Sequence, residues 1–62
     1  MICYCVTSKF DDKGNGWAGI TEKRECEEIP QSTFRSTKKA DYYTDWFDNY
    51  DEAEAFVRST RQ

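Results

Sequence analysis

The residues in this sequence best suited to metal or redox chemistry are its three cysteines. Cys3 and Cys5 stand two positions apart, so an extended strand would place both thiols on one face. Cys26 would lie near them if the first two strands paired along their full length. A structural zinc site takes four Cys or His ligands, and the chain has no His. We therefore interpret the thiols as small buried side chains and expect no cofactor; a metal-binding or redox module that uses Cys3, Cys5 and Cys26 is the alternative.

The rest of the sequence offers little catalytic chemistry. Without His, the Ser-His and Cys-His arrangements of nucleophilic catalysis are absent. The segment Gly14-Asn15-Gly16 lacks the Lys and Ser or Thr of a phosphate-binding loop and is typical of a turn. Carboxylates are frequent near the C-terminus, but a general acid needs a buried carboxyl, and 62 residues enclose little interior. We predict that the protein is not an enzyme.

Aromatic and acidic residues are interleaved from position 41 to position 54. The candidate partner-binding residues are Tyr42, Tyr43, Asp45, Trp46, Phe47, Asp48 and Tyr50. Aromatic side chains anchor protein interfaces, and a rim of carboxylates complements a basic surface, including the groove of a nucleic-acid-binding protein. We therefore expect a protein partner with a basic surface; an ordinary solvated face is the other interpretation.

The overall composition limits the partners and the compartment. Twelve acidic and nine basic residues give a net charge of −3, and the basic residues are scattered along the chain. Binding to duplex nucleic acid needs a clustered basic surface, so we do not expect it. The odd number of cysteines fits a reducing compartment, and the longest apolar run, Met1 to Val6, is too short for a signal peptide or a membrane span. We predict a cytoplasmic protein that does not bind membranes.

The first half of the chain has the pattern of an antiparallel hairpin. Apolar and polar residues alternate from Ile2 to Phe10, which predicts a strand. The sequence Asp-Asp-Lys-Gly-Asn-Gly at positions 11–16 predicts a turn, and a second strand follows from about Trp17 to Cys26 until Pro30 ends it. One side of this strand is predicted to carry Ala18, Ile20, Glu22, Arg24 and Cys26. The many charges at positions 21–28 predict that this half of the strand runs into solvent or along a sheet edge.

The second half of the chain admits two interpretations. In the first, Tyr42 to Phe47 forms a strand and Asp51 caps a helix, with Glu54 completing a capping box. In the second, one helix runs from near Ala40 to Thr60, because the aromatic residues also recur at spacings of three and four. We favour the strand followed by a helix, since Asp and Asn residues near position 50 suit the start of a helix better than its interior.

These elements predict a single small α+β domain over residues 1–62. It has an N-terminal antiparallel hairpin, a third strand, and a C-terminal helix packed on one sheet face through Ala53, Phe56 and Val57. Residues 30–40 lack clear periodicity and read as a connection that Phe34 attaches to the core. One helix cannot cover both sheet faces, so the second face is expected to be covered by residues 30–40, by a partner or by a second copy.

A small, acidic, aromatic-rich chain of this kind resembles the accessory proteins with which phages and mobile elements inhibit host machinery. The resemblance is one of overall character and assigns no residue a role. It implies a small protein-binding module that inhibits a host protein, such as one that handles nucleic acid. The alternatives are the cysteine-based module described above and a structural subunit of a homo-oligomer, the simplest being a homodimer.

Overall fold

Alternating apolar residues near the N-terminus form the central strand of a four-stranded sheet. The structure, a computed structural model, describes residues 1–60. Its elements are β1 (Ile2–Asp11), β2 (Gly16–Glu25), β3 (Thr33–Ser36), β4 (Ala40–Phe47) and α1 (Tyr50–Thr60). The strand order is β2-β1-β4-β3, and all three pairings are antiparallel. The α+β prediction, with its hairpin, third strand and C-terminal helix, is confirmed.

The C-terminal region is a strand followed by a helix, and the interpretation as one long helix is wrong. Residues 61 and 62, which the predicted domain over residues 1–62 included, lie outside the described residues. The capping residue differs from the prediction, because Asn49 and not Asp51 caps α1. The Oδ1 atom of Asn49 accepts a hydrogen bond from the backbone N–H of Glu52 at 3.1 Å. Asp51 lies in the first turn, where its negative charge is favourable to the helix dipole.

A β-bulge in β2 changes which side chains share a face. Cys5 pairs with Glu22, but the next residue of β1 pairs with Ile20, so Thr21 has no counterpart. The extra residue reverses the alternation beyond this point. Ala18 and Ile20 therefore face α1, whereas Glu22 and Arg24 face the opposite side: the prediction that they continue the apolar side is wrong. β2 also ends at Glu25, before Pro30 is reached.

Residues 33–36 form an edge strand, although no strand was predicted there. β3 pairs with the free edge of β4. Phe34 is 59% exposed and not attached to the core as predicted, because its position on the outermost strand lies beyond the reach of α1. Since these residues extend the sheet sideways, they do not fold back over the face opposite α1.

The core is small and lies between α1 and only part of the sheet. Its buried residues are Val6, Ala18, Ala53 and Val57, and Tyr4, Ile20, Phe47 and Phe56 pack around them. The predicted buried side of α1 is thus confirmed. α1 lies mainly over β1 and β2, reaches β4 less and makes no contact with β3 within the described residues. The accessible surface of 4685 Å² exceeds the roughly 4200 Å² typical of a 7.3 kDa monomer, as expected for a partly covered sheet.

Within residues 1–60, the structure has no helix with the length and apolar character needed to cross a bilayer.

The turn between β1 and β2 is organised by one carboxylate. Oδ1 of Asp11 accepts backbone hydrogen bonds from Lys13 at 3.0 Å and Asn15 at 2.8 Å, and Oδ2 accepts one from the Asn15 side chain at 3.3 Å. Gly14 adopts a φ of 85°, which is strained for other residues. The backbone hydrogen bond from Asn15 is the main cause that lowers the pKa of Asp11 below its ordinary value.

The Asp11 carboxylate makes the stability of the folded domain fall at acid pH. The pKa of Asp11 is lowered by folding, so its contribution is present above the unfolded pKa of about 3.9 and is lost as the pH falls through the folded value. We expect the urea midpoint of the wild type to fall between about pH 4 and pH 2 more steeply than that of Asp11→Asn. Asp12→Asn is the control for removal of one negative charge. Equal pH dependence of Asp11→Asn and wild type would contradict this role.

Candidate functional site

The alternation of β4 distributes the seven predicted partner-binding residues over two faces. Tyr43, Asp45 and Phe47 lie on the side of α1, and Tyr42 and Trp46 lie on the opposite side. The remaining two, Asp48 and Tyr50, lie in the turn after β4 and at the first position of α1. The seven residues therefore do not form one continuous surface.

Two of these residues also take part in internal packing. The ring of Phe47 lies 5.3 Å from that of Phe56 beside the core, and Tyr50 meets Tyr4 edge to face at 5.4 Å. On the α1 side, Tyr43 and Asp45 are brought together at the part of β4 that the helix leaves uncovered. On the other side, Tyr42 and Trp46 stand four residues apart on the same strand.

An apolar depression beside the helix, which we name the α1–β4 groove, is the first candidate site. Its lining residues are Ser8, Phe10, Tyr43, Asp45, Phe56 and Thr60, and its volume is about 190 Å³. The ring of Tyr43 meets Phe10 at 5.8 Å and Phe34 at 4.8 Å. Phe34 and Tyr43 are 59% and 38% exposed, so this aromatic cluster is largely open to solvent.

The groove also contains a buried hydroxyl group. Ser8 is only 2% exposed, and its Oγ atom has no hydrogen-bond partner among the described residues. A buried hydroxyl without a partner is unfavourable, because it has lost its hydrogen bonds to water. Asp45 is the charged residue of the lining, and Asp41 lies further along the same side of β4, where Ser36 donates a hydrogen bond to it at 2.7 Å. The groove region is therefore apolar and negatively charged.

The sheet surface opposite α1, which we name the open face, is the second candidate site. One row of paired residues crosses all four strands in the order Trp17, Lys9, Tyr42 and Arg35. The Lys9 ammonium lies 5.7 Å and the Arg35 guanidinium 5.1 Å from the centre of the Tyr42 ring. Aromatic and basic side chains thus alternate across the sheet, and we name this set the aromatic–basic row.

The next positions on the open face are small, and another aromatic residue follows them. Thr7 pairs with Gly19 on one side and with Thr44 on the other. The indole of Trp17 lies over Gly19, where a Cβ atom would be only 2.8 Å from the ring. Beyond these residues, the Arg24 guanidinium lies 5.1 Å from the Trp46 ring. The open face therefore presents three aromatic side chains, each beside a basic one.

The cysteines are free and mostly buried. Cys3 and Cys5 are buried and Cys26 is partly exposed. Burial is the main cause that raises the pKa of the Cys3 thiol, and the neighbouring Cys26 thiol raises it further. The structure thus brings Cys3 beside Cys26, as expected from strand pairing. Within residues 1–60, no group of three or more His, Cys, Asp or Glu side chains is placed to hold a metal ion.

Several residues of these surfaces were not among the sequence-based candidates. Lys9 pairs with Trp17 across the hairpin, whereas the turn predicted over positions 11–16 would have paired residue 10 with Trp17. The predicted register was therefore one residue off. Phe34 and Arg35 gave no signal, because β3 was not predicted. The sequence alone could not place Ser8 and Phe10 in the groove, because that depends on which part of the sheet α1 covers.

Comparisons of this chain with protein-family models, with curated proteins and with solved structures find no significant match.

The buried hydroxyl in the groove leads to a stability prediction. We expect Ser8→Ala to leave the free energy of unfolding unchanged or to raise it by up to about 1 kcal/mol, because it removes an unpaired polar group. Thr37→Ala is the contrasting variant, since Thr37 Oγ1 donates to the Ala40 carbonyl at 2.9 Å and accepts from its N–H at 3.1 Å. That variant should lose about 1 kcal/mol. Urea denaturation measures both, and a clear loss in Ser8→Ala would show that its hydroxyl is paired in the folded protein.

The buried thiols lead to a reactivity prediction. Because burial shields Cys3 and raises the pKa of its thiol, little of the reactive thiolate forms at pH 8. We expect iodoacetamide to modify Cys26 first in the folded protein, and all three cysteines at similar rates in urea. Mass spectrometry of peptides gives the order. Modification of Cys3 as fast as Cys26 in the folded state would contradict the packing of the open face around it.

Proposed function

We propose that the protein is a non-enzymatic protein-binding module whose α1–β4 groove receives an apolar side chain from a partner with a basic surface. The observation that carries this proposal is the aromatic cluster beside the groove, in which Phe34 and Tyr43 are exposed and Phe10 is half-buried. Contiguous exposed aromatic side chains are uncommon on monomers and are frequent anchors of protein interfaces. The proposal keeps Tyr43 and Asp45 from the predicted set and adds neighbours from β1 and β3.

The size of the groove supports a side-chain anchor. Sites for drug-sized ligands and cofactors usually enclose about 300–1000 Å³. The α1–β4 groove encloses about 190 Å³, which is small for such a ligand. An apolar side chain from a partner would fill it, and a polar group beside that side chain would satisfy the Ser8 hydroxyl at the groove floor.

The charge around the groove supports a basic partner. Asp45 lines the groove, and Asp41 lies further along the same side of β4. Carboxylates at the rim of an apolar site favour Lys and Arg on the partner and repel acidic competitors. A partner that handles nucleic acid would present such a basic surface, and the domain would inhibit it by covering that surface. A cytoplasmic location belongs to the same proposal, since the three cysteines are free.

A displayed library of random twelve-residue peptides tests this proposal. The library is selected on the wild-type domain after depletion on Tyr43→Ala, and the enriched peptides are expected to combine one large apolar residue with Lys or Arg. Loss of the Phe34 ring removes an anchor of the site, so Phe34→Ala should weaken the selected peptides about fivefold or more. Fluorescence anisotropy of labelled peptides gives the dissociation constants.

Adjacent residues provide matched controls, because they lie on opposite faces of the same strands. Arg35→Ala and Tyr42→Ala should bind the selected peptides as the wild type does. Ser8→Ala should fold normally and bind more weakly. The proposal fails if no peptide is enriched, or if Phe34→Ala binds as tightly as Arg35→Ala. Concentration-dependent dimerisation that Phe34→Ala abolishes would instead place a second copy of the chain in the groove.

A further inference from the structure

The open face carries positive charge although the whole chain is acidic. The charged strand residues on this face are Lys9, Arg24 and Arg35 on one hand and Asp11 and Glu22 on the other. Both carboxylates are already engaged, because Glu22 accepts a hydrogen bond from Arg24 and Asp11 accepts those of the hairpin turn. Lys9 and Arg35 contact the Tyr42 ring and form no ion pair within residues 1–60. Lys9 still lies near enough to Asp11 for its charge to help lower the pKa of that carboxyl. The net charge of −3 therefore conceals a separation of charge between the two sides of the sheet.

The open face also carries both tryptophans of the chain. Trp17 is 48% exposed, and Tyr42 and Trp46 are partly exposed. Trp17 and Tyr42 lie two strands apart, which corresponds to about 10 Å, and Tyr42 and Trp46 are separated by four residues, or about 13 Å. The rings are thus distributed over the face as separate platforms and do not pack into one cluster.

Shallow depressions lie on both sides of Tyr42. One of about 430 Å³ is lined by Tyr42, Ala40, the three lysines Lys9, Lys13 and Lys39 and the two carboxylates Asp11 and Asp12. The other, of about 310 Å³, is lined by Thr7, Thr33, Arg35, Tyr42 and Thr44. The first adds two loop lysines and the Asp12 carboxylate to the charged residues of the face, so three lysines and two carboxylates line it. The second offers threonine hydroxyls as hydrogen-bond donors and acceptors. A ligand that follows the aromatic–basic row would meet cations and hydroxyls beside each ring.

We infer that the open face binds single-stranded nucleic acid. Unpaired bases stack on exposed aromatic rings and on Arg guanidinium planes, and open four-stranded sheets are known platforms for such stacking. Trp17, Tyr42 with Arg35, and Trp46 with Arg24 provide the stacking positions. Lys9 and Lys39 lie where they can neutralise phosphates. The site is on the opposite side of the sheet from the α1–β4 groove and does not depend on the function proposed for that groove.

Single strands fit this face better than the other polyanions do. A duplex encloses its bases in the stack, and binding it needs many phosphate contacts, more than these few cations supply. An acidic peptide would satisfy the cations but would leave the three spaced rings without a role. The combination of spaced rings and interleaved cations is therefore the feature that selects single strands.

The tryptophans make the site directly observable, because both lie on the open face and none lies in the α1–β4 groove. Tryptophan fluorescence is followed while the wild-type domain is titrated at 50 mM NaCl with twelve-nucleotide oligo(dT) and oligo(rU). We expect saturable quenching that weakens at 300 mM NaCl. An abasic oligomer of equal phosphate number should bind at least about tenfold more weakly, since it cannot stack. A twelve-base-pair duplex and a peptide of twelve glutamates should also bind more weakly.

Two adjacent tyrosines provide the matched variants. Tyr42→Ala should weaken oligo(dT) about tenfold, and Tyr43→Ala, on the other side of the same strand, should not change it. Arg35 lies on the exposed edge strand, so we expect Arg35→Gln to fold. Because this variant loses one phosphate contact, the slope of log K against log[NaCl] should become shallower by about one. Circular dichroism verifies that each variant is folded.

The inference is overturned if neither oligonucleotide binds at 50 mM NaCl, or if the abasic oligomer binds equally well, which would indicate charge alone. Tighter binding of the glutamate peptide would show that the open face is a site for acidic peptides. Equal effects of Tyr42→Ala and Tyr43→Ala would place the binding elsewhere. None of these results bears on peptide binding to the groove, so the two sites are tested independently.

Discussion

The structure depends on the packing of one short helix against a sheet that is larger than the helix can cover. α1 has eleven residues and a length of about 16 Å, whereas a ten-residue strand such as β1 extends for about 33 Å. The contact is made by Val6 and Ala18 from the sheet and Ala53 and Val57 from the helix. These small side chains allow a close approach but bury little apolar area, so the domain has a minimal core. Beyond the reach of α1 most of the sheet is exposed, although Cys3 and Cys5 are buried on the opposite face.

Strand alternation and one bulge determine what that exposed sheet presents. The phase of β4 places Tyr43 and Asp45 beside the helix and Tyr42 and Trp46 on the open face. The bulge at Thr21 then brings Arg24 onto the open face, where it lies over Trp46. Without the extra residue, Arg24 would face the side of α1. A single unpaired residue thus contributes to the separation of acidic and basic residues between the two sides.

Local patterns predict most of the fold but less of the two surfaces. The alternation after Ile2, the Gly- and Asn-rich turn and the residues that start α1 are all encoded within a few positions. β3 carries no such pattern, because four residues at an edge are held by their pairing with β4. The bulge at Thr21 is likewise visible only once the strands are paired. The predicted binding residues formed a contiguous stretch, so they combined two faces and missed cross-strand neighbours such as Lys9 and Phe34.

Exposed aromatic rings on both sides of a sheet create a risk of aggregation, and the two sheet edges show how it is limited. The end of β2 carries the consecutive charges Glu22, Lys23, Arg24 and Glu25, which oppose pairing with another strand. The other edge, β3, is only four residues long. The edges are therefore protected while the rings of Phe34, Tyr43 and Trp17 remain accessible. Aromatic rings that bind no partner only lower solubility. Exposed rings on the sheet faces, together with edges that resist strand pairing, are therefore expected of a domain whose faces bind ligands.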